Sequence, residues 1–171
     1  MVMKILKILA TLIALVVTAL ALGFLILGLT LPEESQVKTE FDVAAPPEKV
    51  WQALNDRGKY PEWAPNIARV EIVNEKEWRE WTKDNPDPLT FSVTSEQPPD
   101  RMEVKYVMGD FIEGHWKGEI KATAAGSRVS AEDKMRAKTW MAKIMMYPFF
   151  DLKEFVNTWN QKLKQRAESL K

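Results

Sequence analysis

The sequence predicts an α+β protein in which an antiparallel sheet packs on one long helix, behind a single transmembrane segment. Three observations lead to this fold class. The first is an uncharged stretch near the amino terminus that is long enough to cross a bilayer. The second is a series of short segments in which apolar and polar residues alternate between turn residues, as in an antiparallel meander. The third is a carboxy-terminal segment whose apolar residues recur at helical spacing.

The uncharged stretch runs from Ile8 to Leu31 and contains 24 residues, of which 15 are Leu, Ile, Val or Phe. At ~1.5 Å rise per residue it forms a helix of roughly 36 Å, longer than the ~30 Å hydrocarbon core of a bilayer. We therefore predict a transmembrane anchor over residues 8–31. A cleaved signal peptide is the alternative, but its apolar region would contain only ~7–15 residues. A buried soluble helix is disfavoured because the stretch is apolar on every face.

The charges that flank the anchor predict its orientation. Lys4 and Lys7 precede it, and acidic residues follow it. Positive charge on a short flank favours the cytoplasmic side. We therefore expect a single-pass membrane protein with a cytoplasmic amino terminus over residues 1–7, a linker over 32–37 and an extracytoplasmic domain over 38–171.

Composition excludes several classes of function. All 24 acidic residues follow the anchor but only 22 of the 24 basic residues do, so the outer domain has a net charge of −2. A nucleic-acid partner is not expected, because nucleic-acid-binding proteins carry a basic stripe. The chain has no cysteine and one histidine, so no metal site is predicted. No nucleophile, phosphate-binding or dinucleotide-binding motif occurs, and no cofactor is expected.

The domain is predicted to begin with a strand and two short helices. Residues 37–43 alternate in polarity and indicate a half-buried strand. Pro47 suits the first turn of a helix over residues 47–54, which has one apolar face. A second helical turn or a loop is predicted over residues 60–65.

Six further strands are then predicted, which makes a sheet of about seven. Turns rich in Pro, Gly, Asn and Asp separate them. The alternating segments lie at residues 68–72, 77–83, 89–94, 101–108, 112–120 and 129–137.

The carboxy-terminal region is predicted to be helical. Apolar residues from Leu152 to Leu170 form one broad stripe, which has to pack on the sheet. The preceding residues 140–150 are mostly apolar, and Pro148 is expected to break or bend them. We interpret residues 140–150 as part of the core helix, with a cavity lid and a membrane-contacting surface as the alternatives.

Two segments carry a family resemblance. Residues 41–54 read F-D-V-A-A-P-P-E-K-V-W-Q-A-L, and residues 60–65 read Y-P-E-W-A-P. With the order of elements over residues 37–170, they resemble the START-like (SRPBCC) superfamily, which includes polyketide cyclase/dehydrase and lipid-transport proteins. The anchor resembles that of its membrane-tethered bacterial members.

The resemblance implies a helix-grip fold, in which a curved sheet grips the last helix and encloses an apolar cavity. Members of the superfamily bind lipids, sterols, polyketides or other hydrophobic molecules, and a minority are enzymes. None of the matching residues is a catalytic signature, and fold alone does not determine function. The candidate cavity residues are Trp63, Phe91, Met102, Val104, Tyr106, Met108, Trp116, Asp133, Met135, Phe155 and Trp159.

Several of these candidates have two interpretations. Inward-facing Trp and Met side chains could line a cavity or fill it, because protein interiors are normally close-packed. Trp63 is either a residue of the cavity mouth or a core plug that seats the short helices on the sheet. His115 shares its strand face with charged residues, which predicts a solvated surface position.

Asp133 is the weak catalytic candidate. It shares its face of the last strand with apolar residues, including Ala131 and Met135, so a regular strand points it inward. A buried carboxylate needs a polar partner, and it could orient a ligand or act as an acid or base together with Tyr106. The alternative is a bulge or a strand-end position that reaches solvent.

Three functions therefore stay open. The first is membrane-anchored binding of a hydrophobic small molecule, such as a lipid or lipid-like compound. The second is a cyclase/dehydrase-type enzyme that uses the same cavity. The third is a ligand-free structural or interaction module of the cell envelope, which requires a filled interior.

Overall fold

A computed structural model of the protein describes residues 2–170. The helices are α1 (Val2–Thr30), α2 (Pro47–Asn55), α3 (Tyr60–Trp63), α4 (Trp140–Met146) and α5 (Leu152–Ser169), with a 3₁₀ turn at Arg57–Lys59. The strands are β1 (Glu34–Val43), β2 (Ile67–Asn74), β3 (Glu77–Thr82), β4 (Leu89–Gln97), β5 (Arg101–Met108), β6 (Ile112–Thr123) and β7 (Gly126–Ala137).

The seven strands form one antiparallel sheet in the order β1-β7-β6-β5-β4-β3-β2. Strands β2 to β7 are a simple meander, and β1 crosses over to pair with β7. Helix α5 lies against β1 and α2. The predicted α+β class, with seven strands and one long carboxy-terminal helix, is confirmed.

Strand β1 starts earlier than its polarity pattern indicates. The prediction of a linker over residues 32–37 is wrong, because Glu34, Ser35 and Gln36 already pair with β7. Side-chain burial alternates from Glu34 onward, but apolar residues occupy the inner positions only from Val37, so the polarity pattern does not show the start of the strand. Only the few residues between Thr30 and Glu34 separate helix α1 from the sheet.

Helix α1 is long enough and apolar enough to cross a membrane. It starts at Val2, ahead of the predicted span, and its side chains are exposed along nearly its whole length. Gly28 is the buried residue of this helix, because the ring of Trp140 lies directly on it.

The apolar residues 140–150 form a short helix and a loop. Pro148 lies between α4 and α5, as predicted. The interpretation of residues 140–150 as core helix holds for one face only. Ala142 and Ile144 are buried, whereas Met141 and Met145 face outward. Helix α4 has seven residues and packs on protein with one face, so the side chains of its other face are exposed.

The core lies between the sheet and α5. At one end, Leu163 and Ala167 of α5 pack with Val50 and with β-strand residues such as Val129. At the start of α5, Asp151 caps the helix: its Oδ1 accepts hydrogen bonds from the backbone N–H groups of Lys153 and Glu154 at 2.8 and 3.1 Å.

Candidate functional site: a cavity between the sheet and helix α5

The space between the sheet and α5 is not filled. A cavity of about 400 Å³ lies there, bounded by strands β3 to β7, by α4 and by α5. Pockets that bind small molecules have volumes of about 300–1,000 Å³ and mostly apolar walls with a few polar groups. The walls of this cavity have that character. The polar side chains in the wall are Glu80, Thr82, Asn85, Asp133 and Asn160, together with the Tyr60 and Tyr106 hydroxyls.

Ten of the eleven candidate residues lie in the wall of this cavity. They are Phe91, Met102, Val104, Tyr106, Met108, Trp116, Asp133, Met135, Phe155 and Trp159. Those on strands share the inward phase, and those on α5 belong to its apolar stripe. Inward-facing aromatic and Met side chains here border open space.

Trp63 is the exception, because it packs beside the cavity wall. Its ring makes edge-on contacts with Tyr60 and Trp159, at centroid distances of 5.2 and 5.4 Å. These three rings hold α3 against α5. Trp63 therefore occupies the position of a core plug, and its prediction as a lining residue is corrected.

Two glycines on β6 explain why the rings of neighbouring residues lie flat along the wall. Gly114 and Gly118 share the inward phase with Trp116. Tyr106 on β5 lies across Gly114, and the Trp116 ring lies across Gly118. A side chain at either glycine would overlap these rings, so both positions require glycine, which has no Cβ.

The Tyr106 side chain extends from β5 across Gly114 of β6 and reaches Asp133 on β7. The Tyr106 hydroxyl donates a hydrogen bond to Asp133 Oδ1 at 2.7 Å, and both residues are buried. Asp133 pairs regularly with β1 and β6, so no bulge carries it to solvent. Burial raises the pKa of Asp133 to about 6, although the hydrogen bond from Tyr106 opposes that rise. Burial also raises the pKa of Tyr106 far above its usual value, so its hydroxyl keeps its proton.

A second buried carboxyl group belongs to Glu80, which the sequence reasoning missed. The indole Nε1 of Trp78 donates a hydrogen bond to Glu80 Oε1 at 2.6 Å. Burial raises the pKa of Glu80 to about 7, opposed by the Trp78 hydrogen bond and by the nearby Arg57 charge. The available signal was the shared strand phase of Trp78, Glu80 and Thr82, all of which line the cavity.

Arg57 lies behind Trp78, where it holds the indole in place. Its guanidinium carbon is 4.1 Å from the centroid of the Trp78 ring. Its Nη1 donates to the carbonyl of Glu75 at 2.8 Å, and its Nη2 donates to Asn55 Oδ1 at 2.9 Å. Burial lowers the pKa of Arg57. These bonds connect Arg57 to the end of α2 and to the turn between β2 and β3, and its guanidinium packs against the Trp78 ring.

The cavity can therefore hold an apolar body and exchange hydrogen bonds or protons at two places. One place is Asp133 with Tyr106 at β7, and the other is Glu80 with Trp78 at β3. Within residues 2–170, no group of three or more His, Cys, Asp or Glu side chains is placed to hold a metal ion. His115 is half-exposed and lies 3.9 Å from Glu103, on the outer face.

Residues 43–162 match the family described as "Polyketide cyclase / dehydrase and lipid transport". The match spans well over half of the chain. The protein belongs to this polyketide cyclase/dehydrase and lipid transport family. The resemblance inferred from residues 41–54 and 60–65 is thereby confirmed. No protein with a curated description matches this family member.

Solved structures that resemble this family member share its START-like fold. The Zhui aromatase/cyclase from Streptomyces sp. R1128 is 15% identical, with a TM-score of 0.63 over 79% of this chain and 94% of the other. A START superfamily protein from Mycobacterium smegmatis is 16% identical, with a TM-score of 0.60 over 82% of this chain and 100% of the other. A norcoclaurine synthase from Thalictrum is 12% identical, with a TM-score of 0.59 over 78% and 94% of the two chains. At these identities the likeness establishes the fold alone.

Proposed function

We propose that this protein binds a hydrophobic small molecule, a lipid or lipid-like compound, while anchored in a membrane. The cavity of about 400 Å³ between the sheet and α5 is the observation that carries the proposal. Protein interiors are normally close-packed, so an open space of this size with apolar walls suits an apolar guest. Each methylene that the guest buries contributes about 0.8 kcal/mol.

The two carboxyl groups in the wall would set the pose of such a guest. Asp133 and Glu80 each accept a protein hydrogen bond through one oxygen. These bonds use Asp133 Oδ1 and Glu80 Oε1, and both side chains line the cavity. A hydroxyl or amine on the ligand would donate a hydrogen bond to one of these carboxyl groups, because small-molecule pockets fix the pose of a ligand through a few polar groups in an apolar wall. The proposed ligand is therefore an apolar body with one polar, hydrogen-donating end.

The membrane part of the proposal concerns α1. We expect this helix to stay attached and to span the bilayer, because its apolar run is longer than a signal peptide needs. Lys4 and Lys7 favour a cytoplasmic amino terminus, which leaves the cavity domain outside. Tethering would keep the cavity beside the bilayer, where hydrophobic ligands are most concentrated.

Native mass spectrometry of the full chain, released from detergent micelles, tests ligand binding. Wild-type protein should carry a bound mass beyond that of the polypeptide. Val104→Phe, which adds a ring to a buried wall position, should lose this mass. Val73→Phe, at a position that is 42% exposed on β2, is the matched control and should keep it. A wild-type spectrum without any bound mass, or equal binding by both variants, would contradict the proposal.

A cyclase/dehydrase-type enzyme is the second candidate, because a proton-holding pair lies in the cavity wall. Asp133 has a pKa near that of a general base for neutral conditions, and the Tyr106 hydroxyl can donate a hydrogen bond to a carbonyl oxygen. The third candidate, a ligand-free module, is disfavoured because it requires a filled interior.

Turnover of a poly-β-keto thioester separates the enzyme from the binding protein. Asp133→Asn should abolish turnover, but a bound mass should remain in the native spectrum, because the apolar walls and Glu80 would still hold the guest. Turnover by Asp133→Asn at the wild-type rate would refute the enzymatic role. Absence of turnover in the wild type would leave binding alone as the function of the cavity.

A further inference from the structure

We propose that the mouth of the cavity lies in the headgroup region of the bilayer that α1 crosses, so that ligands enter from the lipid without passing through water. The mouth segment is defined as residues 140–150, which comprise α4 and the loop to α5. The inference rests on the proposed anchoring by α1. Two features are new: the surface of the domain that faces the membrane, and the place where the ligand enters the cavity.

The outer face of the mouth segment is apolar. Its exposed large side chains are Trp140, Met141, Met145, Phe149 and Phe150. Phe149 is 86% exposed, which is an unusual degree of exposure for an aromatic side chain in water. The one charged residue of the segment, Lys143, is buried and pairs with Glu33. The exposed face therefore presents no charge that would oppose entry into a lipid interface.

Contacts with the carboxy-terminal end of α1 place this apolar face at the level where α1 is proposed to leave the bilayer. The Trp140 ring lies on Gly28, which is three residues before Leu31, so about 4.5 Å inside the predicted end of the span. Just beyond the helix, Lys143 Nζ donates to Glu33 Oε1 at 2.9 Å, and the Tyr147 hydroxyl donates to the Glu33 carbonyl at 3.3 Å. These contacts hold the mouth segment where α1 leaves the membrane.

The same segment forms part of the cavity wall. Met145, Phe149 and Phe150 line the cavity and also have exposed surface. The apolar wall is therefore continuous with the apolar outer face. Aromatic side chains are enriched at membrane interfaces, where their rings lie among the headgroups. A lipid-like molecule in the adjoining leaflet could then pass along this apolar path into the cavity.

Single-cysteine labelling of the full chain tests the placement, and the chain has no cysteine of its own. Phe149→Cys, carrying the fluorophore NBD, is reconstituted into vesicles of phosphatidylcholine and phosphatidylglycerol. Part of the phosphatidylcholine carries a nitroxide quencher on the upper acyl chain. Leu25→Cys, in the exposed surface of α1, reports anchoring. Ala125→Cys, at the β6–β7 turn, lies at the other end of the 12-residue strand β7, about 40 Å along the chain from α4.

We expect the nitroxide lipid to quench the labels at positions 149 and 25 and to leave the label at 125 bright. Quenching at 25 without quenching at 149 would overturn the inference and leave the anchor standing. No quenching at 25 would overturn the anchoring and this inference together. If the label at 149 is shielded from aqueous iodide but is not quenched by the lipid, a protein partner or second copy covers the patch, and the inference fails.

A pair of glycine variants tests whether α1 sets the position of the mouth. Gly28→Val would overlap the Trp140 ring and displace the mouth segment, whereas Gly23→Val meets no neighbour within 4 Å. Quenching of the label at Phe149 should fall in Gly28→Val and stay unchanged in Gly23→Val. Equal quenching in both variants would overturn the placement of the mouth by the Trp140–Gly28 contact.

Discussion

Replacing Asp133 by asparagine measures what the buried carboxylate costs the folded protein. Burial raises the pKa of Asp133 from its ordinary 3.8 to about 6. Such a rise corresponds to about 3 kcal/mol of unfolding free energy. The folded state holds this proton to higher pH than the unfolded chain does. Stability therefore falls as the pH rises from about 4 to about 6, and the lost stability is not regained above that window.

Asp133→Asn should remove this fall, because the amide carries no charge and its oxygen still accepts from Tyr106. The difference in unfolding free energy between variant and wild type should grow in favour of the variant by about 2.5 kcal/mol between about pH 4 and pH 7.5. Urea unfolding in detergent micelles, followed by tryptophan fluorescence, gives both free energies. Other titrating groups, including Glu80, are common to both proteins and cancel in the difference.

Asp84→Asn is the matched control, because it makes the same change at an exposed position. Its stability should follow the wild-type pH profile. Parallel profiles for Asp133→Asn and wild type would refute the reasoning, because they would mean that ionising Asp133 costs the folded state nothing. The carboxylate would then be solvated, and neither ligand orientation nor proton transfer at a buried site could be assigned to it.

Three further predictions concern other residues. Gly114→Val should displace the Tyr106 ring, break its hydrogen bond to Asp133 and lower the free energy of urea unfolding by about 2–4 kcal/mol. The control Gly58→Ala, at a position with no neighbour within 4 Å, should change that free energy by under about 0.5 kcal/mol. Glu80→Gln should be more stable than wild type above about pH 7 and not at about pH 4.5, since burial raises the pKa of this group from 4.5 to about 7; a pH-independent difference would contradict it. Asp151→Ala should lower the melting temperature through a loss of about 1 kcal/mol, and Asp151→Asn should recover most of it if capping is the cause.

Much of the fold follows from periodicity, because strand geometry sends alternate residues to opposite faces. On β5, Met102, Val104 and Tyr106 alternate cleanly with polar residues, and their inward phase was predictable. The same rule points Asp133 inward only if its strand is regular, and the unbroken pairing of β7 with β1 and β6 meets that condition. The closeness of Asp133 and Tyr106 then follows from a glycine on the strand between them.

Periodicity failed where both faces of an element look alike or where remote contacts decide burial. Strand β3 carries Trp78 on one face and Trp81 on the other, so its pattern does not tell which face is inward, and Glu80 was overlooked. Trp81 lies on the outer side, where the guanidinium carbon of Arg69 is 3.7 Å from the centroid of its ring. The division of α4 into buried and exposed faces depends on α1, which is remote in sequence and close only in the folded chain.

The alternation of glycine and tryptophan along the inner face of β6 gives the domain an adjustable interior. The indole ring of Trp116 lies on Gly118, and a larger residue at position 118 would displace this ring into the cavity. One codon could thus shrink the space available to a ligand without altering Asp133, Tyr106 or Glu80. For the proposed ligand, size selection and polar recognition would therefore rest on different residues, and a change in the preferred ligand size would need no change in its polar contacts.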